Sequence, residues 1–280
     1  MSRILPERRV VRVSIGSTPT YERDTLAGEE PLELRVSGRS MAVTMRTPGA
    51  DFDLAAGFLV SEGVITRTDE LVSMRYCTGK TVSDVNRFNV LDLELGHSVA
   101  PPDESVARAF FTTSSCGLCG KASIDAVRTR SAFDVHDDEL RVTPKMLVSL
   151  PERLRAAQRV FEKTGGLHAA ALFDGASSEL LVLREDVGRH NAVDKVVGWA
   201  LREGRLPLRG ALLLVSGRAS FELVQKAVMA GVPMLCAVSA PSSLAVDLAE
   251  ESGMTLVGFL RDPSMVVYSG AERVVDELTQ

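Results

Sequence analysis

Between residues 31 and 46, apolar side chains occupy alternate positions: Leu32, Leu34 and Val36, then Met41, Val43 and Met45 after Ser37-Gly38-Arg39-Ser40. A period of two interrupted by a glycine turn predicts an antiparallel β-hairpin. Thr47-Pro48-Gly49 breaks the second strand, and Leu54, Ala55, Phe58 and Leu59 recur at helical spacing until Gly63. One short helix should therefore pack on this sheet. Further strands are predicted near residues 71–76 and 87–95, and Pro101-Pro102-Asp103-Glu104-Ser105 reads as a linker. The first twenty or so residues alternate basic and β-branched side chains without an end signal, and read equally as an extended arm, an edge strand or a disordered tail.

The C-terminal half has another rhythm. Apolar runs at 169–173 and 179–183, joined through Asp174-Gly175, predict a second hairpin. A strand at 211–216 leads to a helix with Leu223, Val224, Ala227 and Val228 on one face, closed by Gly231 and Pro233. A strand at 234–239 leads to a helix carrying Leu244, Leu248 and Ala249, closed by Gly253, and a strand at 256–260 follows. Such repeated crossovers imply parallel strands covered by helices.

In units of this kind the loops after the strands emerge at the carboxyl edge of the sheet, where open α/β proteins place ligands. Three stretches should converge there: Ser216-Gly217-Arg218-Ala219-Ser220, Ser239-Ala240-Pro241-Ser242-Ser243 and Phe259-Leu260-Arg261-Asp262-Pro263-Ser264. The first two open helices whose amide groups favour anions, and Arg218 and Arg261 add charges matched to phosphate. A nucleotide or phosphorylated cofactor fits this edge. On the other reading Ser220, Ser242 and Ser243 are ordinary helix caps and the arginines are solvated. Neither a GxGxxG nor a Walker-type lysine occurs, so a dinucleotide dehydrogenase and an NTPase lack support.

Composition narrows the class. The 280 residues, 45% of them hydrophobic, suffice for one large domain or two modest ones. A net charge of −5 argues against a nucleic-acid scaffold, which needs a clustered excess of Lys and Arg. No stretch has the 18 or more apolar residues of a membrane span, and the start lacks the apolar core of a signal peptide, so a cytoplasmic location is expected.

Four cysteines do not make a disulfide framework in a chain this long, but Cys116 and Cys119 form a close pair in Cys116-Gly117-Leu118-Cys119-Gly120-Lys121. A helix expected just after this turn, with Lys121 nearby, should raise the thiolate content. A nucleophilic thiolate is what sulfur acceptance requires. It captures sulfane sulfur as a persulfide, and the second cysteine can then release it. Two alternatives use the same residues. A thioredoxin-like dithiol should follow an early strand, whereas this pair follows a linker in mid-chain; a zinc site would have to recruit Cys77, Cys236 and His168 from distant positions. Cys77 and Cys236 lie in apolar or strand-like patterns and read as buried structural residues.

Two polar clusters remain. Thr164-Gly165-Gly166-Leu167-His168 precedes a strand, and His168 is either a satisfied structural residue or a group that orients or protonates something at the cysteine loop. The run from Arg184 to Lys195 opens a helix containing Val193, Val196, Val197 and Ala200. Its Asp186, Arg189, His190, Asp194 and Lys195 are a solvated helix end or a secondary site for a polyanion or a thiolate.

Taken in order, Arg46-Thr47-Pro48-Gly49, Cys116-Gly117-Leu118-Cys119-Gly120, Gly165-Gly166-Leu167-His168-Ala169, the Glu185–Lys195 run and Ser216-Gly217-Arg218-Ala219-Ser220 resemble the FdhD family, sulfurtransferases needed for formate dehydrogenase maturation. The resemblance implies that sulfur comes from a cysteine desulfurase, rests as a persulfide on Cys116, and passes to a bis-molybdopterin guanine dinucleotide carried as cargo. It places the cofactor-binding stretch on Phe259, Leu260, Arg261, Asp262, Pro263 and Ser264, beside Ser216, Gly217, Arg218 and Ser242 of the neighbouring loops. It also implies a homodimer. The fold expected is α/β, or α+β overall: an N-terminal α+β domain over residues 1–108, a cysteine loop and linker helix over 109–130, and a cytidine-deaminase-like three-layer domain over 131–280. His168-Ala169-Ala170 lacks the Glu of the deaminase H-x-E motif, and the cysteine pair lies upstream of the histidine. Deamination and a catalytic metal of its own are therefore not expected.

Overall fold

The computed structural model describes residues 3–77, 88–100 and 131–276. Cys116 and Cys119, the linker at 101–105 and the expected linker helix lie outside the described residues. The strands, in chain order, are β1 Glu7–Arg12, β2 Thr20–Thr25, β3 Glu30–Val36, β4 Arg39–Arg46, β5 Leu71–Tyr76, β6 Val90–Leu95, β7 His168–Asp174, β8 Leu180–Asp186, β9 Ala211–Val215, β10 Met234–Ala237, β11 Thr255–Arg261 and β12 Ser264–Ser269. The α-helices are α1 Asp51–Ser61, α2 Pro144–Ala157, α3 Arg159–Thr164, α4 Arg189–Arg202, α5 Phe221–Met229 and α6 Ser243–Glu251.

The central sheet runs β12-β11-β10-β9-β7-β8. Only β9, β10 and β11 are mutually parallel; β7 is antiparallel to both β8 and β9, and β12 is antiparallel to β11. The alternation of side chains sorts them into two faces. Ala170, Leu172, Leu213, Val215, Leu235, Ala237 and Leu256 meet residues of α4, α5 and α6. On the other face Ala171, Phe173, Leu212, Leu214, Cys236 and Val257 meet Leu147, Leu150 and Leu154 of α2. The result is three layers, helix on sheet on helix.

A second sheet, β4-β3-β6-β5, presents Leu32, Leu34, Leu91 and Leu93 to α1. Its core is continuous with that of the first, because α1 also packs on α4. The crossing is close enough to exclude side chains. A Cβ on Gly57 would lie 1.8 Å from the Asp194 carbonyl oxygen, and one on Gly198 would lie 1.8 Å from that of Asp53. Two helix backbones touch at these glycines, a contact that any larger residue forbids.

Several expectations are corrected. The first residues form a ribbon of their own, β1 paired with β2, with Val11 and Tyr21 opposite each other and exposed. Phe259–Ser264 is not a loop after a strand: Phe259, Leu260 and Arg261 belong to β11, and Ser264 starts β12 after a turn at Asp262-Pro263. The sheet is mixed: β9, β10 and β11 are parallel, as the crossovers implied, and the hairpin β7–β8 joins them antiparallel. Helix α2, which contains Pro144 and Pro151, is an element that the periodicity read from the sequence does not predict. Pro144 sits in the first turn, where no hydrogen bond is lost, and the Thr143 hydroxyl accepts from the Met146 N–H at 3.2 Å.

Replacing Gly57 by Ala separates two effects of opposite sign. Helix propensity alone favours Ala by about 1 kcal/mol, whereas overpacking against rigid backbone costs about 3 kcal/mol or more. The expected outcome for Gly57→Ala and for Gly198→Ala is net destabilisation, read from urea unfolding. A stabilised variant would show that the two helices do not cross this closely.

Candidate functional site

The carboxyl ends of β8 to β11 and the start of β7 open on one edge, and α4, α5 and α6 begin there. The loops are tied together through their backbones. The Ser239 N–H donates to the Gly217 carbonyl at 3.3 Å, the Phe259 N–H to that of Ser239 at 3.1 Å, the Ala219 N–H to that of Ala240 at 3.2 Å, and the Ser242 N–H to that of Ala219 at 3.0 Å. The three stretches singled out in the sequence are thus one hydrogen-bonded unit.

Their side chains divide by task. The Ser216 hydroxyl accepts from the Ala169 N–H at 2.9 Å, locking the loop to β7. Gly217 lies against His168; a Cβ there would stand 3.5 Å from Nδ1. Ser242 caps α6 by accepting from the Ala245 N–H at 3.3 Å. Arg218, Arg261, Asp262, Pro263 and Ser264 are exposed at the edge. Leu260 is fully buried in the core against α2, so only its backbone reaches the edge. Phe259 is 40% exposed and has φ of 49°, in the left-handed region that bulky residues avoid. The ladder between β11 and β12 is irregular between Gly258 and Arg261, which accommodates this strained residue.

The charged run opening α4 separates in the same way. Asp186 and Lys195 form a buried pair at 2.7 Å. The Thr47 N–H donates to Asp186 at 3.1 Å, Lys195 donates to the Thr47 carbonyl at 2.9 Å, and the Val187 N–H donates to the Thr47 hydroxyl at 3.1 Å. Asn191 donates to Asp186 at 3.0 Å and to the Met45 carbonyl at 2.8 Å. Glu185 caps α3 by accepting from the Val160 and Phe161 N–H groups at 3.0 and 2.7 Å. Asp194 accepts from Ser61 at 2.6 Å and from Lys226 of α5 at 2.8 and 2.9 Å. The run therefore bolts the 46–49 turn, α1 and α5 to the edge. Buried polar groups must be paired, and these pair with one another.

Arg189 and His190 are what this bolting leaves over. Among the described residues Arg189 Nε is a buried atom with no hydrogen-bond partner, whereas the side chains of His190 and Ser220 turn to the Glu222 carboxylate. His190 Nε2 stands 3.9 Å from Glu222 Oε2, beyond direct bonding distance. Ser220 occupies the cap position of α5 but makes no capping bond. Burial, then the charges of Arg189 and His190, push the His168 pKa down and favour the neutral imidazole. Burial would raise the Glu222 pKa, but neighbouring His190 and Ser220 and its own amide bring it down to about 2. Sequence reasoning passed over Glu222 because an acid in the first turn of a helix looks like an ordinary dipole partner. Among the described residues no three His, Cys, Asp or Glu side chains are arranged to hold a metal ion.

The Glu222 shift has a direct consequence for stability. With a folded pKa near 2 and an ordinary value of 4.5, the ionised carboxylate contributes stability that is complete above about pH 4.5 and is lost as pH falls towards 2. The stability difference between wild type and Glu222→Gln, measured by urea unfolding between pH 6 and pH 3, should shrink as pH falls. A difference independent of pH would mean that the carboxylate is not held in this state.

Residues 27–275 match the model of the FdhD/NarQ family. The chain is 61% identical over 275 residues to the sulfur carrier protein FdhD of Streptomyces avermitilis, covering 98% of this chain and 97% of that protein. It is 56% identical over 271 residues to the sulfur carrier protein FdhD of Mycolicibacterium paratuberculosis, covering 97% and 99%. A crystal structure assigned as a formate dehydrogenase accessory protein of Desulfotalea psychrophila superposes with a TM-score of 0.77 at 22% identity, covering 97% of this chain and all of that one, which shows a shared fold. With a family match over nearly its whole length, this chain belongs to the FdhD/NarQ family.

Proposed function

We propose that this protein is a sulfur carrier for formate dehydrogenase maturation, which takes sulfur as a persulfide on Cys116 and delivers it to a bis-molybdopterin guanine dinucleotide bound at the carboxyl edge. The geometric observation that carries the reading is the hydrogen-bonded union of the loops at 216–220, 239–243 and 259. It gathers Arg218, Arg261 and the aromatic Phe259 at one exposed edge. Those side chains suit a large anionic nucleotide, because guanidinium groups match phosphate oxygens and an aromatic face suits a ring. The full-length relatives named as sulfur carriers support the first half of the reading.

The loading step is a thiolate exchange. The Cys116 thiolate attacks the outer sulfur of a desulfurase persulfide, the S–S bond breaks, and the desulfurase thiolate leaves, with no net oxidation. Cys119 can then attack the inner sulfur of the Cys116 persulfide, forming a disulfide and releasing hydrosulfide. The cofactor is cargo, and this chain's own residues bind and orient it. On this reading the carrier works in the cytoplasm as a homodimer, with a cysteine desulfurase as donor and formate dehydrogenase as recipient. No described helix is long and apolar enough to cross a membrane.

Intact-mass and peptide analysis after incubation with a cysteine desulfurase and cysteine, without reductant, tests the carrier step. One added sulfur on Cys116 is expected in wild type, with complete loss in Cys116→Ala. No gain under conditions that load a known acceptor would reject it and leave a cofactor-binding chaperone. Insulin reduction dependent on Cys119 would instead indicate a dithiol oxidoreductase.

A further inference from the structure

The ribbon formed by β1 and β2 stands apart from both hydrophobic cores, to which none of residues 7–25 belongs. Its ladder continues inward past the strands, where the Leu26 N–H donates to the Pro6 carbonyl at 2.9 Å and the Gly28 N–H to that of Ile4 at 2.8 Å. From Ile4 to Arg12 the paired strand reaches about 30 Å, at roughly 3.3 Å per residue. A two-stranded ribbon with water on both faces is marginally stable at best.

The two faces differ. Alternation puts Arg8, Val10 and Arg12 on one face with Thr20, Glu22 and Asp24, where positive and negative charges balance and Arg12 pairs with Glu22. The other face carries Glu7, Arg9 and Val11 with Tyr21, Arg23 and Thr25. There Arg9 lies directly opposite Arg23, an arrangement of like charges that destabilises a strand pair. Arg23 turns to Glu7 at 3.0 Å, and Arg9 has no hydrogen bond or ion pair among the described residues. Further out, Val11 is 50% exposed and Tyr21 85%, and the chain beyond β1 adds Val13 at 71% and fully exposed Ile15. An unmatched guanidinium beside a run of large apolar groups is complementary to an acidic, apolar surface outside the chain.

The ribbon is rooted beside the carboxyl edge. Ile4 Cδ1 lies 3.6 Å from where a Cβ on Gly49 would stand, and the Ala27 Cβ lies 3.6 Å from the corresponding point on Gly166. Gly49 closes the turn whose Thr47 binds Asp186 and Lys195, and Gly166 precedes His168 at the start of β7. Arg3 adds an anchor, its Nε donating to Glu30 at 3.0 Å and its guanidinium lying 5.3 Å from the centre of the Phe88 ring. A macromolecule that meets the edge to collect cargo therefore comes within the ribbon's reach. The residues that match the family begin at 27, so the ribbon precedes the shared body.

We propose that the β1–β2 ribbon is a docking arm for the enzyme that receives the cargo, holding an acidic, apolar strip of that enzyme's surface against Arg9, Val11, Tyr21 and Val13. A carboxylate of the enzyme sits between Arg9 and Arg23 and relieves their repulsion, while its apolar side chains cover Val11 and Tyr21. This rests on the carrier reading above and names the surface that recognises the recipient. A second copy of this chain is the poorer occupant, because two such faces would bring two arginine pairs together.

The test is biosensor titration of the immobilised full chain with formate dehydrogenase purified without its molybdenum cofactor. Sulfur loading of Cys116 by a cysteine desulfurase, and light scattering, are run on every variant. Arg9→Glu/Arg23→Glu and Tyr21→Ser should each weaken binding by about tenfold or more, as for charged and aromatic groups central to an interface. Arg8→Ala, on the balanced face, should change it by no more than about twofold. Sulfur loading, oligomeric state and the urea midpoint should stay as in wild type, because the ribbon lies outside both cores. Undiminished binding in both variants of the Arg9 face overturns the arm, and so does a wild type that loads sulfur but does not bind the enzyme; either leaves the carrier step standing. A changed oligomeric state in those variants also overturns it, giving the ribbon to a second copy, and lost sulfur loading gives it to the donor. A wild type that neither loads sulfur nor binds the enzyme removes the carrier reading and the arm with it.

Discussion

The contact on which the rest depends is the crossing of α1 and α4 at Gly57 and Gly198, where a Cβ on either residue would fall 1.8 Å from a backbone oxygen of the other helix. Because these backbones touch, the N-terminal sheet is drawn close to the sheet that carries the edge. Asp53 of α1 then meets Arg184 of β8 at 2.7 Å, and also pairs with Arg202 at the end of α4. Asp194 meets Ser61, and Thr47 comes within reach of Asp186 and Lys195. Without the glycines the helices would stand at an ordinary 8–10 Å separation, and the buried charges of Asp186 and Lys195 would lose the backbone groups that satisfy them. Removing one partner of such a pair costs about 3–5 kcal/mol.

This dependence explains why two separated motifs belong together. Arg46-Thr47-Pro48-Gly49 reads alone as a strand end followed by a turn, and the Glu185–Lys195 run reads alone as a charged helix start. In the folded chain they are two halves of one buried network, with Arg46 itself fully buried and bonded to Asp51 at 2.9 and 3.0 Å. Most charges of the second motif are consumed in holding the edge in place. Arg189 and His190 take no part in the described hydrogen bonds of this network, and His190 instead stands beside Glu222 of α5. Position in the sequence hid this division, since partner residues such as Thr47 and Asp186 are 139 apart.

Much of the fold was legible because it rests on local periodicity. The hairpin β3–β4, helix α1 and the β9-α5-β10-α6-β11 succession fall where alternation and glycine stops put them. What escaped was set by tertiary context. Pro151 is tolerated inside α2 because Leu147, Leu150 and Leu154 bury its apolar stripe. The strand at 264–269 was hidden by the Asp262-Pro263 turn, which resembles a loop between unlike elements. At the candidate site, sequence supplied the loops and their arginines but not which side chains face out. Leu260 joins Val257 on the α2 face because the irregularity at Phe259, held at positive φ and exposed, shifts the alternation of side chains by one residue. Glu222 escaped because its importance lies in having His190 across a helix interface, which no local pattern records.

The central claim is that sulfur held on Cys116 moves to the molybdenum cofactor and reaches formate dehydrogenase with it. It is tested most directly by loading the protein with ³⁴S through a cysteine desulfurase, removing donor and free cysteine, and adding molybdenum cofactor and inactive formate dehydrogenase in a single turnover. The account requires that the label leave the Cys116 peptide as it appears on the cofactor extracted from activated enzyme. Activation with the label still on Cys116, or with unlabelled sulfur on the cofactor, would contradict it.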